Sequence, residues 1–319
     1  MGKFCVTGGA GFIGSNLVES LVKRGHEVLV VDNLSTGRMT NLEPFRNRIE
    51  FIQEDICATQ RMREVFSGVE VVFHEAAIPS VQKSVLDPER SNQSNIDGTL
   101  AVLIAARDAK VRRVVLAGSS SVYGETPTLP KTESMIPQPI SPYGVMKLVL
   151  ELYARVFTRI YGLETICLRY FNVFGPRQDP TSEYSGVLSK FITALLNGKQ
   201  PVIYGDGEQS RDFTYVENVV EANLLAADAT QGVGETINVA TGCRYSLIHV
   251  LEVLSKLISI HAEPVFAPPR QGDIKHSQAD ITRAQMVLGY TPPVDFETGL
   301  RRTVEWYRTQ TGKGRPSLL

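Results

Sequence analysis

The chain has 319 residues, 43% of them hydrophobic, and its 33 lysines and arginines nearly balance 34 aspartates and glutamates. That length supports a large core and two lobes, while a formal charge of -1 offers nothing to attract nucleic acid or an anionic membrane, so any basic site for a phosphorylated ligand must be local. Cys5, Cys57, Cys167 and Cys243 are too scattered for a zinc site and read as buried thiols of a reducing compartment. The chain enters its first strand almost at once and no apolar run is long enough to span a bilayer, so the expectation is a soluble, cytoplasmic protein without a metal.

Residues 3–7 read as a buried strand, followed by Gly8, Gly11 and Gly14 at three-residue intervals. Such glycines give a tight turn, a close backbone approach to a pyrophosphate and a helix–strand contact that a side chain would block. The helix predicted from Phe12 presents free N–H groups and its positive dipole end to that pyrophosphate; Leu17, Val18, Leu21 and Val22 form its apolar face and Gly25 stops it. A second strand over 27–31 ends at Asp32, at the distance where a carboxylate takes the adenosine ribose hydroxyls. Strand, glycines, helix, strand and acid in that order predict a dinucleotide site. Asp32 would repel a 2'-phosphate and Asn33 and Leu34 supply no cation, Arg38 being the nearest one, so NAD is expected over NADP.

The loop 33–37 is polar and rich in turn formers, a strand over 49–53 delivers Asp55 and Ile56, and 60–67 reads as a short helix. A strand over 71–74 runs into Glu75-Ala76-Ala77, where small side chains let a cofactor approach the backbone; His74 is expected to pack or hydrogen-bond at the strand end rather than catalyse. A helix is predicted over 92–109 with Ile96, Leu100, Leu103 and Ile104 as its stripe, and 112–116 returns to the sheet. This alternation predicts an α/β fold, a Rossmann-type doubly wound parallel sheet with ligands beyond the carboxyl ends of its strands. The expected division is a cofactor-binding domain over 1–171, rejoined by 213–240, and a smaller C-terminal substrate-binding lobe, mainly 172–319.

The strand reaching 116 continues into Gly118-Ser119-Ser120-Ser121-Val122-Tyr123-Gly124, placing three hydroxyls where the sheet meets its ligand. In Ser141-Pro142-Tyr143-Gly144-Val145-Met146-Lys147, Ser141 suits a helix cap and Pro142 the first helical position. Helical geometry then sets Tyr143 and Lys147 one turn apart on one face. An ammonium beside a phenol, with a cofactor cation nearby, favours the phenolate and suits the tyrosine to act as a general base. Ser119 can bond the same substrate oxygen.

These segments, with the 32–37 loop and Arg169-Tyr-Phe-Asn-Val-Phe-Gly175, resemble in order the extended short-chain dehydrogenase/reductase family, and within it the nucleotide-sugar 4-epimerases. The resemblance covers nearly the whole chain. It implies that Ser119, Tyr143 and Lys147 are catalytic, and that NAD is held by Gly8, Gly11, Phe12, Ile13, Gly14, Asp32, Asn33, Ser35, Gly37, Asp55, Ile56, Ala76, Ala77, Asn95, Tyr143, Lys147 and Tyr170. It also implies a UDP-sugar substrate held by Ser119, Ser120, Tyr143, Asn172, Val187, Tyr204, Arg211, Arg270 and Ser277. Arg211 and Arg270 would take the diphosphate, as two guanidinium forks in loops can, and Tyr204 the uracil. Related 4,6-dehydratases and glucuronate decarboxylases carry acids where this chain has Ser120 and Ser121, so oxidation and re-reduction at C4 is the implied reaction. Where hexose-restricted relatives have a bulky tyrosine, Ser277 leaves room for an N-acetyl group; Pro79 and Gly186 depart from the relatives' pattern. A homodimer is implied through helices 92–109 and 142–161, with Leu148, Leu152 and Val156 as candidates for its seam. Net oxidation or reduction of a nucleotide sugar, or a regulator with a vestigial site, are the competing readings. In the lobe, helices are predicted over 187–197, 216–229, 246–259 and 296–309, with a strand over 236–239.

Overall fold

A computed structural model describes residues 2–179, 186–269 and 274–310. Six strands, β1 (Lys3–Thr7), β2 (Glu27–Val31), β3 (Ile49–Ile52), β4 (Val71–His74), β5 (Arg113–Ser119) and β6 (Glu164–Tyr170), are joined by the strand Glu235–Val239. They form one sheet in the order Glu235–Val239, β6, β5, β4, β1, β2, β3, and every pairing is parallel. The strands are nearly continuous runs of Val, Ile and Leu, as a sheet covered on both faces requires. One face packs Leu17, Val18, Val219 and Ala226 against the sheet; the other packs Val102, Leu103, Leu150 and Phe157. The chain order reverses beside β1, which opens a crevice beyond the carboxyl ends of β1 and β4.

The predicted helix over 92–109 begins earlier than the sequence pattern indicates. It runs as Pro88–Asn92 and Gly98–Asp108 around a π-helical turn, Gln93–Asp97. The wider turn shifts the helical phase, so Asn95, Val102 and Ala106 are buried while Ile96, Leu100 and Ile104 are only half-buried. The helix Pro142–Tyr161 starts with Ser141 accepting a bond from the Gly144 N–H at 3.1 Å and ends in left-handed Gly162. Of the cysteines, Cys5 and Cys167 are buried, but Cys57 is half-buried and Cys243 exposed, because Cys243 lies in the turn after Val239 rather than on a strand.

Beyond β6 a separate aromatic core forms from Phe174, Phe213, Phe296 and Tyr245, backed by the helices Val187–Leu196, Leu247–Ile258 and Phe296–Gln310. Two short helices, Val81–Leu86 and Thr282–Leu288, are too brief for a periodic signal. No helix of the described residues is long and apolar enough to cross a membrane.

A buried ionic network ties these parts together. Arg169 of β6 and Glu151 of helix Pro142–Tyr161 are 4% and 3% exposed and form a two-pronged pair at 2.8 and 2.7 Å. Arg169 also donates to the Tyr123 hydroxyl at 2.8 Å, which donates to Asn238 at 2.7 Å. Removing one partner strands the other charge in the core. Glu151→Ala should therefore lose about 3–5 kcal/mol of stability, read as a lowered denaturation midpoint in urea; a loss below about 1 kcal/mol would mean that water reaches Arg169.

Candidate active site

The crevice is a cavity of about 870 Å³ running along the carboxyl ends of the strands. At one end Gly8, with φ +69°, turns the chain out of β1, its N–H bonded to the Val31 carbonyl at 2.7 Å, and the Gly11 N–H closes the turn on the Gly8 carbonyl at 3.0 Å. A Cβ on Gly14 would lie 2.3 Å from that carbonyl oxygen, and one on Gly8 2.6 Å from the Ala76 nitrogen. The helix Phe12–Lys23 therefore seats directly on the turn and leaves its first N–H groups facing the cavity.

Asp32 ends β2 with its carboxylate fixed by the Ala10 N–H at 3.0 Å and the Leu34 N–H at 2.8 Å. Burial raises its carboxyl above the ordinary range, and these two N–H bonds oppose the rise. Asn33 donates to Asp55 at 2.9 Å, joining the loops after β2 and β3. Arg38 is bonded to Asp179 at 2.6 Å instead of pointing alone at the ribose side. A glycine cradle with no room for Cβ atoms, a helix N-terminus and a fixed carboxylate fit a dinucleotide with free ribose hydroxyls.

The other end of the cavity carries the hydroxyls. Ser119 is the last residue of β5, in register with Tyr170 of β6, and its Oγ accepts the Ser121 N–H at 3.2 Å. Ser121 also lines the cavity, and its Oγ is buried with no hydrogen-bond partner. Tyr143 lines the cavity, its backbone N–H held by Ser84 Oγ at 3.0 Å. The Lys147 ammonium lies 5.8 Å from the centre of its ring and donates to the Ala117 carbonyl at 2.7 Å. One fixed cation, one phenol and one strand-end hydroxyl can together move a proton to and from an alcohol.

Gly8, Gly11, Phe12, Ile13, Gly14, Asp32, Asn33, Ser35, Gly37, Asp55, Ile56, Ala76, Ala77, Ser119, Ser120, Tyr143, Tyr170, Asn172, Arg211 and Ser277 all line this one cavity. Others are placed differently. Lys147 is behind the wall, 3% exposed. Asn95 is buried, with its amide clamped on both sides of the residue 78 peptide at 2.8 and 3.2 Å; it fastens the 75–79 wall rather than facing the cavity, because the π-helical turn rotates it inward. Val187 borders a small adjoining hollow with Asn172 and Phe213. Tyr204, on the two-stranded edge at 202–204, is 38% exposed and outside the lining. Arg270 lies outside the described residues.

His74 is buried between Thr7 and Thr99, at 2.8 and 3.0 Å. The Thr99 hydroxyl already donates to the Asn95 carbonyl, so Nε2 carries the ring hydrogen and Nδ1 accepts from Thr7. Burial, reinforced by the Lys147 charge, lowers its pKa to about 3, which leaves it neutral and structural. Glu75, Lys131, Arg177 and His276 also line the cavity, and the sequence assigns none of them a role in the site. Asp212, wholly buried, accepts N–H bonds from Thr241, Gly242 and Ala279 and so fixes the segment that carries Ser277. Among the described residues no group of three His, Cys, Asp or Glu could hold a metal.

The sheet, glycine turn and Tyr–Lys pair define an enzyme of the nicotinamide-dependent, short-chain class. Residues 4–240 match the NAD dependent epimerase/dehydratase family, and the chain belongs to it; NAD is its cofactor. It is 43% identical to a UDP-N-acetylglucosamine 4-epimerase of Methanobrevibacter ruminantium M1, solved in complex with UDP-N-acetylmuramic acid, over 97% of this chain and 99% of that one with a TM-score of 0.93. A UDP-glucuronic acid 4-epimerase of Bacillus cereus, solved with UDP-glucuronic acid and NAD, is 32% identical over 97% and 99% of the two chains, with a TM-score of 0.89. A UDP-glucose 4-epimerase of Mycolicibacterium smegmatis is 41% identical over 96% of this chain and 98% of its own.

Gly14→Ala should purify with less than about a tenth of the wild-type NAD content, measured on the acid-released nucleotide, since its Cβ must push the turn open. Full NAD content in a folded variant would show that the turn yields without cost.

Proposed function

We propose that the protein interconverts UDP-hexoses at C4, acting on the N-acetylglucosamine/N-acetylgalactosamine pair and on the glucose/galactose pair, by transient oxidation and re-reduction. The observation that carries this reading is Ser119 and Tyr143 on the wall of one cavity with Lys147 buried behind Tyr143, and hydroxyls, not carboxylates, at 120 and 121. Elimination and decarboxylation would need an acid there; proton transfer at O4 needs none.

The cofactor supplies, when bound, a hydride acceptor that becomes the donor of the return step. Tyr143 takes the O4 proton, and the fixed Lys147 ammonium stabilises the negative charge that develops on it. Ser119 bonds the same oxygen and holds it toward Tyr143. Tyr143 then returns the proton once the 4-keto sugar has presented its other face. Turning the hexose requires a firm grip on the nucleotide and a loose one on the sugar. Arg211 and His276 line the cavity and would grip the diphosphate, and Ser277, held by its N–H to the Ser210 carbonyl at 3.0 Å, would be the small wall that admits an N-acetyl group.

A second substrate, UDP-glucuronate, is favoured by Lys131. This lysine lines the cavity and is 2% exposed, its ammonium is bonded to Thr126, and no carboxylate among the described residues is within ion-pair distance of it. A sugar carboxylate would complement it.

The protein is further read as a cytoplasmic homodimer. Val145, Leu152, Val156 and Ile160 are 47, 50, 47 and 66% exposed along one stripe of helix Pro142–Tyr161, an apolar face unusual on a monomer; Leu148, by contrast, is packed inward. Light scattering should give twice the chain mass for the wild type and the single-chain mass for Leu152→Glu/Val156→Glu; a monomeric wild type refutes the dimer.

Incubation without added cofactor with UDP-N-acetylglucosamine, UDP-glucose and UDP-glucuronate, resolved by anion exchange, tests the reaction. Conversion of the first two to their galacto epimers is expected, with kcat roughly 10²–10⁴-fold lower in Tyr143→Phe. Conversion of UDP-glucose alone rejects the open pocket at Ser277, and a product that forms only when NADH is added, in proportion to the NADH consumed, rejects epimerisation.

A further inference from the structure

Glu75 is a carboxylate of the cavity wall that proton transfer at O4 does not use. Glu75 follows β4 directly, its N–H bonded to the Thr7 carbonyl at 3.1 Å. Its carbonyl carbon is where a Cβ on Gly8 would make contact, at 2.9 Å. Its backbone therefore abuts the glycine turn, while its bond to Tyr170, which is in register with Ser119, directs its side chain toward the end of the cavity that carries the hydroxyls.

Its side chain is not left to find its own orientation. Glu75 Oε1 is 2.7 Å from the Tyr170 hydroxyl, which is 2.7 Å from Asn223 Nδ2. Asn223 Nδ2 also bonds the Val219 carbonyl at 2.9 Å. A carbonyl only accepts, so the amide nitrogen must face Val219 and Tyr170; the tyrosine oxygen accepts from it, and the one phenolic hydrogen goes to Glu75. The direction Asn223 to Tyr170 to Glu75 is thereby fixed. Asn223 is wholly buried and its Oδ1 has no partner, a cost that an apolar residue would avoid. A core amide kept at that cost, aiming a donor at a cavity carboxylate, indicates that the orientation of Glu75 matters.

Few charges face it. The Lys147 ammonium acts on it from helix Pro142–Tyr161, Tyr143 is the titratable group of the same helix turn, Tyr170 donates from β6, and His74 beneath is neutral. Burial raises the Glu75 carboxyl to about 7, with the Tyr170 hydrogen bond and the Lys147 charge opposing the rise. It is thus ionised above neutrality and protonated below.

We propose that Glu75 is a positioning residue for the redox balance of the bound dinucleotide, its oriented charge favouring the cationic, oxidised nicotinamide over the neutral, reduced one. The inference rests on the NAD-dependent reading. Glu75 forms and breaks no covalent bond and carries no electrons; it exchanges at most a proton with water, while the hydride passes only between sugar C4 and the cofactor. The consequence suits an enzyme that must undo its own oxidation. A site biased toward oxidised cofactor returns the hydride readily, so the keto sugar is reduced before it escapes and leaves a dead, reduced enzyme.

The test needs no sugar, so its failure is separate from failure of the substrate assignment. Holoprotein is equilibrated with defined NAD⁺/NADH mixtures, freed of unbound nucleotide, and the bound ratio is read chromatographically. At pH 8.5 Glu75→Gln, which keeps an acceptor for Tyr170, should shift the bound ratio about tenfold toward NADH, and Glu75→Asp should recover part of it. At pH 6 the wild type should move toward the Gln ratio, while the Gln variant stays flat. An unchanged ratio with both forms bound more weakly makes Glu75 merely structural and overturns the proposal. Should Glu75→Gln retain neither form, the wild-type profile decides, and a flat ratio between pH 6 and 8.5 overturns it as well.

Discussion

The Arg169 guanidinium buried against Glu151 and the Tyr123 hydroxyl is the contact on which the rest of the site depends. A guanidinium in the core is tolerable only when its donors are met, and meeting them brings together the catalytic helix, the end of β6 and the serine turn after β5. Asn238 extends the arrangement. Its side chain accepts from Tyr123 and donates to the Lys131 and Asp280 carbonyls, while its own N–H is held by Glu133. The distance between Ser119 and the Tyr143 helix is therefore set largely by buried groups packed beneath the cavity wall.

Above that foundation the cavity has two mechanical regimes. On the cofactor side everything is pinned: glycines without room for a Cβ, Asp32 tied to two backbone N–H groups, and Asn95 clasping the 78 peptide. Toward Ser119, Ser120 and Ser277 the walls carry small hydroxyl side chains, and a fixed point there is Asp212, whose carboxylate gathers the 241–242 turn and the Ala279 backbone. Such a division suits the proposed reaction, in which the substrate turns over between two hydride transfers.

The sequence exposes what is local and periodic. The strands, the helix caps and the glycine spacing each leave a short-range mark, and so the sheet, the turn at Gly8–Gly14 and the one-turn relation of Tyr143 to Lys147 are all legible before any coordinates. The helix near Asn95 is harder, because a π-helical turn adds a residue and rotates the register that the Ile96–Leu100–Leu103 spacing implies. Residues recruited across the fold leave no mark at all. Glu75 and Asn223 are ordinary single residues in the chain and acquire meaning only where β4, β6 and the helix Val216–Asp228 meet, as Lys131 does only where its segment pairs with Ala279. Tyr204 likewise shows its setting only in three dimensions, on the exposed edge pair formed with Val265–Ala267.

The strand Glu235–Val239 closes the sheet only after the chain has made a long excursion through the substrate lobe, returning to pair along β6 from Ile166 to Tyr170. On a ribosome, β6 must wait for that return with its outer edge unpaired and its Ile166 and Leu168 side chains uncovered. An open, apolar strand edge is a template for association with other chains. The same topology that lets one helix, Val216–Asp228, reach back and aim Tyr170 thus makes the late-arriving strand the step that protects the newborn molecule from its neighbours.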